Sequence, residues 1–432
     1  LKANSPFTEQ LALLKFLVKW GIFGTWVGGL SGVASAGFLL SLDWAGRTRG
    51  TFPWLLFLLP LAGFAIVFAY GRYGNDVAAG NNLLLERIHD PEKSVPFRMA
   101  PMILISTVVT HLFGGSAGRE GTAVQMGGTL AGLAAAPLRL SKADHSILLM
   151  TGVSAGFGSV FGTPLAGAIF GMEVLSVGRM RYNALVPCLM ASFVGDLVCR
   201  SLGVVHHQYQ VVPNPMPMSF AFFGLILVAG ACFAAASATF TELTHWIQSA
   251  GKPFLRSQYV RVGVGSAIVI GLTFAVGTQK YNGLSLPLLE RALTLDEIPS
   301  YAFLLKILFT AVTLGVGFKG GEVTPLFVIG ATLGHSFGVL TGQPPVVFAA
   351  LGFAAVFAGA ANTPLACTIM GIELFGASLA VPLAMVCVLA YILSGHRGIY
   401  VSQRIPESKG TATEFSDGAT LSSVRSGKSQ PI

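Results

Sequence analysis

TPLAGAIFGME, running from Thr163 to Glu173, returns 200 residues later as TPLACTIMGIE, from Thr363 to Glu373. Seven of the eleven positions are identical, and Gly152, Ala155 and Phe157 upstream are echoed by Gly352, Ala355 and Phe357. Apolar composition alone does not produce so many matches in register. A looser echo at a spacing of 203 pairs Gly114, Gly118, Gly127, Thr129 and Leu130 with Gly317, Gly321, Gly330, Thr332 and Leu333. The chain therefore contains two halves that share one fold. Identity alone does not say whether they run parallel or inverted in space.

The residues around the repeat say where such a fold lives. Of 432 residues, 53% are hydrophobic and 11% charged, with 53 Gly and 22 Pro and a mean hydropathy of +0.69. Soluble domains carry about 25% charged residues, so a water-soluble enzyme is excluded. Apolar runs recur from about residue 22 to residue 395 with short polar breaks, the pattern of one intramembrane body. The runs lack the dyad alternation of a lipid-facing barrel, so helices are the expected unit. The net charge of +8 sits in connecting segments, at Arg47, Arg49, Arg179, Arg181, Arg256 and Arg261. It reads as membrane-flank charge, and no nucleic-acid partner is expected. Cys188, Cys199, Cys232, Cys367 and Cys387 stand singly in apolar surroundings with no His at ligand spacing, so neither a metal site nor any other cofactor is expected.

Many apolar segments are too short or too broken to be simple spans, which need about 20 residues. Thr122 to Leu133, Val323 to Leu333 and Pro364 to Phe375 each run about a dozen residues before a Gly, a Pro or a charge. Bare backbone at membrane depth survives only when protein buries it or it lines a cavity. Duplicated halves with interrupted helices in matching places are the sequence mark of a transporter whose site lies at the repeat interface.

The first break, GGSAGREGTAVQMGGTLAGL from Gly114 to Leu133, carries Arg119 and Glu120. Free N–H groups around Gly118 and Gly121 at a helix start form an anion site. A carboxylate at Glu120 either caps that helix start or competes there with an anion, and an ionisable residue on a half-helix inside a membrane marks an ion or proton path. The matching break, GVGFKGGEVTPLFVIGATL from Gly315 to Leu333, places Glu322 and Thr324 before Pro325, which suits a helix opening. Its GxGxxG lacks the surrounding βαβ unit of a dinucleotide site. A third segment, AGNNLLLER from Ala79 to Arg87, sets Asn81 and Asn82 at a helix start, where Asn serves as a cap or faces an anion. Tyr400 ends the last apolar segment and reads as either an interface tyrosine or a site residue. Glu173 and Glu373 read as structural, holding helix ends or pairing with an Arg, and His111 reads as structural. No nucleophile pair or HExxH suggests an enzyme.

GREGT at Gly118 to Thr122, followed by Val124, Gln125 and Gly127, resembles the GREGP motif of the CLC family of chloride channels and proton-coupled antiporters. GGEVTP at Gly320 to Pro325 resembles that family's GxFxP motif, AGNNL its GSGIP motif, and Tyr400 its central tyrosine. The resemblance covers about residues 22 to 400. It implies an all-α polytopic membrane protein, a CLC-type inverted repeat of broken and tilted helices, forming a homodimer in the lipid bilayer with one pathway per subunit.

The departures from the family pattern narrow it. Asn81 stands for the central serine, Thr122 for the GREGP proline, Glu322 and Val323 for the Ile and Phe of GxFxP, and Val174 for a second proton glutamate. These resemble the fluoride-exporting, proton-coupled branch. The implied function is fluoride/proton exchange in a bacterial inner membrane, with Glu120 filling the anion path as a carboxylate and leaving it when protonated. A chloride-type antiporter or a passive CLC anion channel is the alternative. Fluoride holds water more tightly than chloride, so a dehydrating site needs strong, close donors. Asn81, Asn82, Thr324, Tyr400 and the backbone at Gly118 and Gly121 are the candidates for binding, with Gln125 and Thr122 behind them. Glu322 is the candidate for coupling, through a proton of its own, a pairing with Lys319 or Arg119, or a contact that steadies Glu120; a helix cap is its bland alternative. The expected domains are an amphipathic segment at 1–21 lying along the membrane surface rather than a signal peptide, repeats at 22–200 and 217–400, a linker at 201–216, and a disordered cytoplasmic tail at 401–432.

Overall fold

The computed structural model of the chain describes residues 6–135, 140–206, 219–254, 257–294, 296–410, 415–416 and 418–427. They form α1 (Pro6–Thr51), α2 (Leu59–Tyr73), α3 (Asn81–His89), α4 (Met99–Leu112), α5 (Glu120–Ala135), α6 (Lys142–Phe161), α7 (Pro164–Glu173) and α8 (Leu185–Ser201). The chain continues through α9 (Phe220–Phe254), α10 (Gln258–Val276), α11 (Leu286–Ala292), α12 (Ala302–Gly315), α13 (Val323–Thr341), α14 (Pro345–Ala361), α15 (Pro364–Phe375), α16 (Ala380–Leu393) and α17 (Leu421–Arg425). β pairing among the described residues is confined to isolated bridges. Six helical stretches are long and apolar enough to cross a membrane, and the protein is an all-helical, multi-pass membrane protein.

The repeated glycines are where helices cross. A Cβ on Gly127 of α5 would lie 2.2 Å from the Gly152 carbonyl oxygen of α6, and one on Gly330 of α13 would lie 2.0 Å from that of Gly352 of α14. Both pairs are repeat-equivalent, so each half builds the same backbone-to-backbone crossing. Lipid tails are as apolar as the side chains, which leaves close packing of small residues to hold such helices together.

The repeated glutamates show how the halves are related. Glu173, at the end of α7, accepts hydrogen bonds from the Leu365 and Ala366 N–H groups at the start of α15, at 3.1 and 2.8 Å. Glu373, near the end of α15, accepts from the Leu165 and Ala166 N–H groups at the start of α7, at 3.0 and 2.8 Å. Each helix end caps the other's beginning, so α7 and α15 are antiparallel and the repeats are inverted. Of the two structural roles open to these carboxylates, they hold helix ends; the ends belong to the opposite repeat, and no Arg among the described residues pairs with them. The repeated phenylalanines meet at the same seam, with the Phe157 and Phe357 rings stacked at 6.2 Å and Phe170 beside both.

Three expectations change. The segment expected at 1–21 is not a separate element, because α1 runs unbroken from Pro6 to Thr51. Buried Trp20 anchors it near the expected break, between the rings of Phe16 and Phe23. The apolar stretch that the sequence ends at Leu333 continues as α13 to Thr341. The tail beyond residue 400 is ordered over its described part: Ile405, Phe415, Ala419 and Leu421 are buried in a cluster with Val177. Polar tail side chains cap helix ends of the membrane body, a stabilisation that apolar composition does not register. The linker expected at 201–216 falls largely outside the described residues.

Gly330→Ala should be destabilising, by roughly 1–3 kcal/mol for an overpacked crossing. Gly271→Ala, on α10 with nothing within 4 Å of the added carbon, should leave stability unchanged or slightly raised. Thermal unfolding in detergent checks this, and equal midpoints for the two variants would contradict the crossing's role.

Candidate functional site

Two glycines join the broken helices. The Gly118 N–H donates to the Gly321 carbonyl at 2.6 Å and the Gly321 N–H donates to that of Gly118 at 2.8 Å, an antiparallel bridge between the repeats. No side chain fits there. A Cβ on Gly118 would lie 2.8 Å from Pro325 Cδ, and one on Gly321 would lie 2.9 Å from the Gly121 nitrogen. The bridge brings the N-termini of α5 and α13 together, so both positive helix ends converge on one point.

Glu120, the first residue of α5, fills that point and is wholly buried. Its Oε2 accepts from the Thr324 N–H at 2.9 Å, the Thr324 hydroxyl at 2.6 Å and the Arg119 N–H at 3.3 Å. Its Oε1 makes no hydrogen bond and lies 3.4 Å from Arg119 Nε. Three donors at a helix start form an anion cradle, and the carboxylate oxygen stands in it where an anion would stand. Thr324, expected as a donor to fluoride beside Asn81 and Tyr400, here donates to Glu120.

The loop leading to Glu120 is tied on every side. His111 spans the Thr107 and Ala117 carbonyls, the Asn282 amide donates to the Gly114 carbonyl at 2.8 Å, and the Ser116 N–H donates to Thr313 Oγ1 at 3.1 Å. Fully buried Lys306 donates to Ser116 Oγ at 2.9 Å, Ser285 Oγ at 2.8 Å and the Gly283 carbonyl at 3.0 Å. Sequence reasoning missed Lys306. Its signal was a lone lysine within the apolar run of α12.

Two cavities approach the bridge. One of about 610 Å³ is lined by Glu120, Arg119 and Thr324 with Phe161, Phe327 and Phe353. The other, of about 490 Å³, is lined by Asn81, Asn82, Gln125, Glu322 and Tyr400. A Cβ on Gly121, the residue after Glu120, would come within 2.9 Å of Nδ2 of Asn81 in the second lining. The candidate residues thus converge on one region from two sides.

In the second cavity three polar groups have no protein partner among the described residues. Asn81 Oδ1 is buried without a hydrogen bond, and nothing bonds the hydroxyl of buried Tyr400. Glu322 precedes α13 without capping it. Its expected pairings are absent, since Lys319 donates to the Ala78 carbonyl at 3.1 Å and lies 4.4 Å over the Tyr70 ring, while Arg119 faces Glu120. Asn82 does something else: its Oδ1 accepts from the Ser402 N–H at 3.1 Å, tying the start of α3 to the segment that carries Tyr400. Thr122 faces Thr107, with the two hydroxyl oxygens 2.8 Å apart.

Comparison with known proteins places this geometry. Residues 62–395 match the family described as voltage gated chloride channel. The chain is 48% identical over 407 residues, 93% of its length and 90% of the relative's, to the chloride/fluoride channel protein of Pseudomonas syringae pv. tomato. It is 26% identical over 399 residues, 86% of its length and 83% of the relative's, to the H(+)/Cl(-) exchange transporter ClcA of Vibrio cholerae. Among solved structures, a CLC-type fluoride/proton antiporter superposes with a TM-score of 0.87 at 34% identity, covering 90% of this chain and 98% of the other. A slow cyanobacterial Cl-/H+ antiporter superposes at 0.75 and 18% identity, over 87% and 94% of the two chains, a likeness of fold. With the family match spanning most of its membrane body and so close a relative along nearly its whole length, the chain belongs to the voltage gated chloride channel family, the CLC proteins.

Proposed function

We propose that this CLC protein exchanges fluoride for protons in a bacterial inner membrane, exporting fluoride at the expense of the proton gradient. The observation that carries the reading is the seat of Glu120. Its carboxylate occupies the donors that an anion would use, on the wall of the first cavity and at the start of both half-helices. Anion and carboxylate then compete for one place. Protonation weakens the carboxylate as an acceptor and frees the cradle, so anion entry and proton binding become one event. The kinship with a fluoride/proton antiporter and with a chloride/fluoride channel protein supports fluoride as the anion.

Asn81 and Tyr400 offer an amide and a hydroxyl donor, with no protein partner, to an anion in the second cavity, and short, strong donors favour the smaller, more basic ion. Glu322 opens into the same cavity and, among the described residues, forms no ion pair there, although Lys319 and Arg261 also line it. A fixed charge there would repel the substrate, which suits a group that holds a proton during part of the cycle. We assign Glu120 the gate and Glu322 the coupling, with Gly118 and Gly121 giving the backbone its close approach. Asn82, which also lines that cavity, ties the binding residues to the Tyr400 segment through its Oδ1 and keeps its Nδ2 as a donor toward the anion. Exposed apolar residues on the antiparallel seam and beside it, Leu165, Phe193, Leu197, Leu365 and Val381, supply the face for a homodimer. Passive conduction, which the Pseudomonas relative's name implies, is the alternative that flux measurements separate.

Glu120→Gln keeps the shape and cannot titrate, so fluoride efflux from liposomes should no longer move protons. Fluoride-driven proton uptake equal to that of the unmodified protein would refute the gate. Asn81→Ser shortens the donor and should narrow the preference for fluoride over chloride about tenfold, the worth of one hydrogen bond to a charged ion. Comparable fluxes of the two anions through the unmodified protein would instead return it to the chloride branch. Glu322→Gln should abolish or strongly slow coupled transport while the protein stays folded, and normal proton-coupled transport in that variant would leave Glu120 as the only proton carrier named.

A further inference from the structure

The chain beyond Tyr400 is built into the repeat seam through its side chains. Gln403, fully buried, donates from Nε2 to the Val174 carbonyl at 2.8 Å and the Ala361 carbonyl at 2.8 Å. Val174 follows α7 in the first repeat and Ala361 ends α14 in the second, so one amide joins helix ends from both halves. Its Oε1 accepts from Asn362 Nδ2 at 2.9 Å.

Asn362 caps α14 in the left-handed conformation, with φ of 58°. Its Nδ2 also donates to the Arg397 carbonyl at 3.0 Å, and its Oδ1 accepts from Lys409 Nζ at 2.5 Å. Lys409 donates further to the Gly395 and Tyr391 carbonyls at 2.6 and 2.7 Å and lies 4.2 Å over the Tyr391 ring. The last carbonyls of a helix lack partners within it and favour a cation, and the tail supplies both.

Tyr400 sits inside this frame. The Ile399 N–H before it donates to the Ala360 carbonyl at 2.9 Å, and the Gln403 N–H after it donates to the Tyr400 carbonyl at 3.1 Å. The frame fixes the backbone on both sides of a phenol whose hydroxyl makes no hydrogen bond among the described residues. A site that separates two spherical anions by size must hold its donors within about 0.5 Å, and that rigidity comes from the groups behind them.

We propose that Gln403, Asn362 and Lys409 are positioning residues for Tyr400, and that the tail thereby sets the preference for fluoride over chloride. The proposal rests on the fluoride reading and deepens it. Neither Gln403 nor Lys409 touches Glu120 or Glu322, so the clamp governs which anion fits and not how protons are coupled.

The test uses full-length protein in liposomes, with Gln403→Leu and Lys409→Met compared with the unmodified chain for fluoride flux, chloride flux and protons moved per fluoride. In both variants the fluoride-to-chloride ratio should fall, about tenfold for Gln403→Leu and less for Lys409→Met. KM for fluoride should rise and the proton ratio should stay unchanged. Gln403→Asn, which retains the amide, should recover part of the preference. Should Gln403→Leu not fold, Lys409→Met decides alone, since Lys409 is only half-buried where Gln403 is fully buried. Folded variants that transport more slowly with an unaltered anion ratio and KM would overturn the proposal and reduce the clamp to a fold element. An unmodified protein without fluoride preference would overturn the functional reading instead.

Discussion

One buried carboxylate shared between two helix beginnings organises this molecule. Glu120 belongs to α5 of the first repeat, yet two of its three hydrogen bonds come from Thr324 of the second. A charged group at membrane depth is costly by several kcal/mol unless its surroundings compensate. Here compensation comes from N–H groups and a hydroxyl at two half-helix starts, which can exist only because those helices begin inside the protein. The Gly118–Gly321 bridge, the glycine crossings and the tethered loop before Glu120 are what that arrangement requires.

The inverted repeat gives the same logic twice at different places. Glu173 and Glu373 hold the starts of α15 and α7 with nearly equal hydrogen-bond lengths, a static use of the carboxylate at a helix start. Glu120 is the third member of the series and differs in its surroundings: one oxygen is unbonded, a cavity lies on its side, and Glu322 occupies the corresponding break on the other. A cap with both oxygens bonded has no reason to move. Glu120, with one oxygen held only by the ion pair to Arg119, has fewer ties, and in the function we propose an anion takes its seat.

Much of this was legible in the residues and some was not. The repeat, the broken helices and the identity of Glu120 were readable because glycine breaks and a charge in apolar surroundings leave local marks. The orientation of the repeats was not, since identity carries no direction; it emerged from which N–H groups Glu173 and Glu373 meet. Thr324 and Asn82 read as donors to an anion; that Thr324 holds the Glu120 carboxylate and that Asn82 accepts from the Ser402 N–H depends on partners 204 and 320 residues away, beyond any local pattern. The tail misled most. Its Ser, Thr, Gly and Lys content describes a chain with little to bury, and its stability comes from Gln403 and Lys409 satisfying carbonyls at the ends of helices that hydropathy had already placed elsewhere.

The central claim is that the Glu120 carboxylate and the anion compete for one seat, so that proton and anion movement are coupled, and thermodynamics tests it more directly than any substitution. Purified protein in liposomes, with equal fluoride on both sides and a pH difference imposed, should accumulate fluoride on the more acidic side against its own gradient, with the membrane potential clamped at zero. The accumulation should grow with the pH difference and vanish without it. Fluoride that remains equal on both sides whatever the pH difference would mark a passive pore and contradict the account.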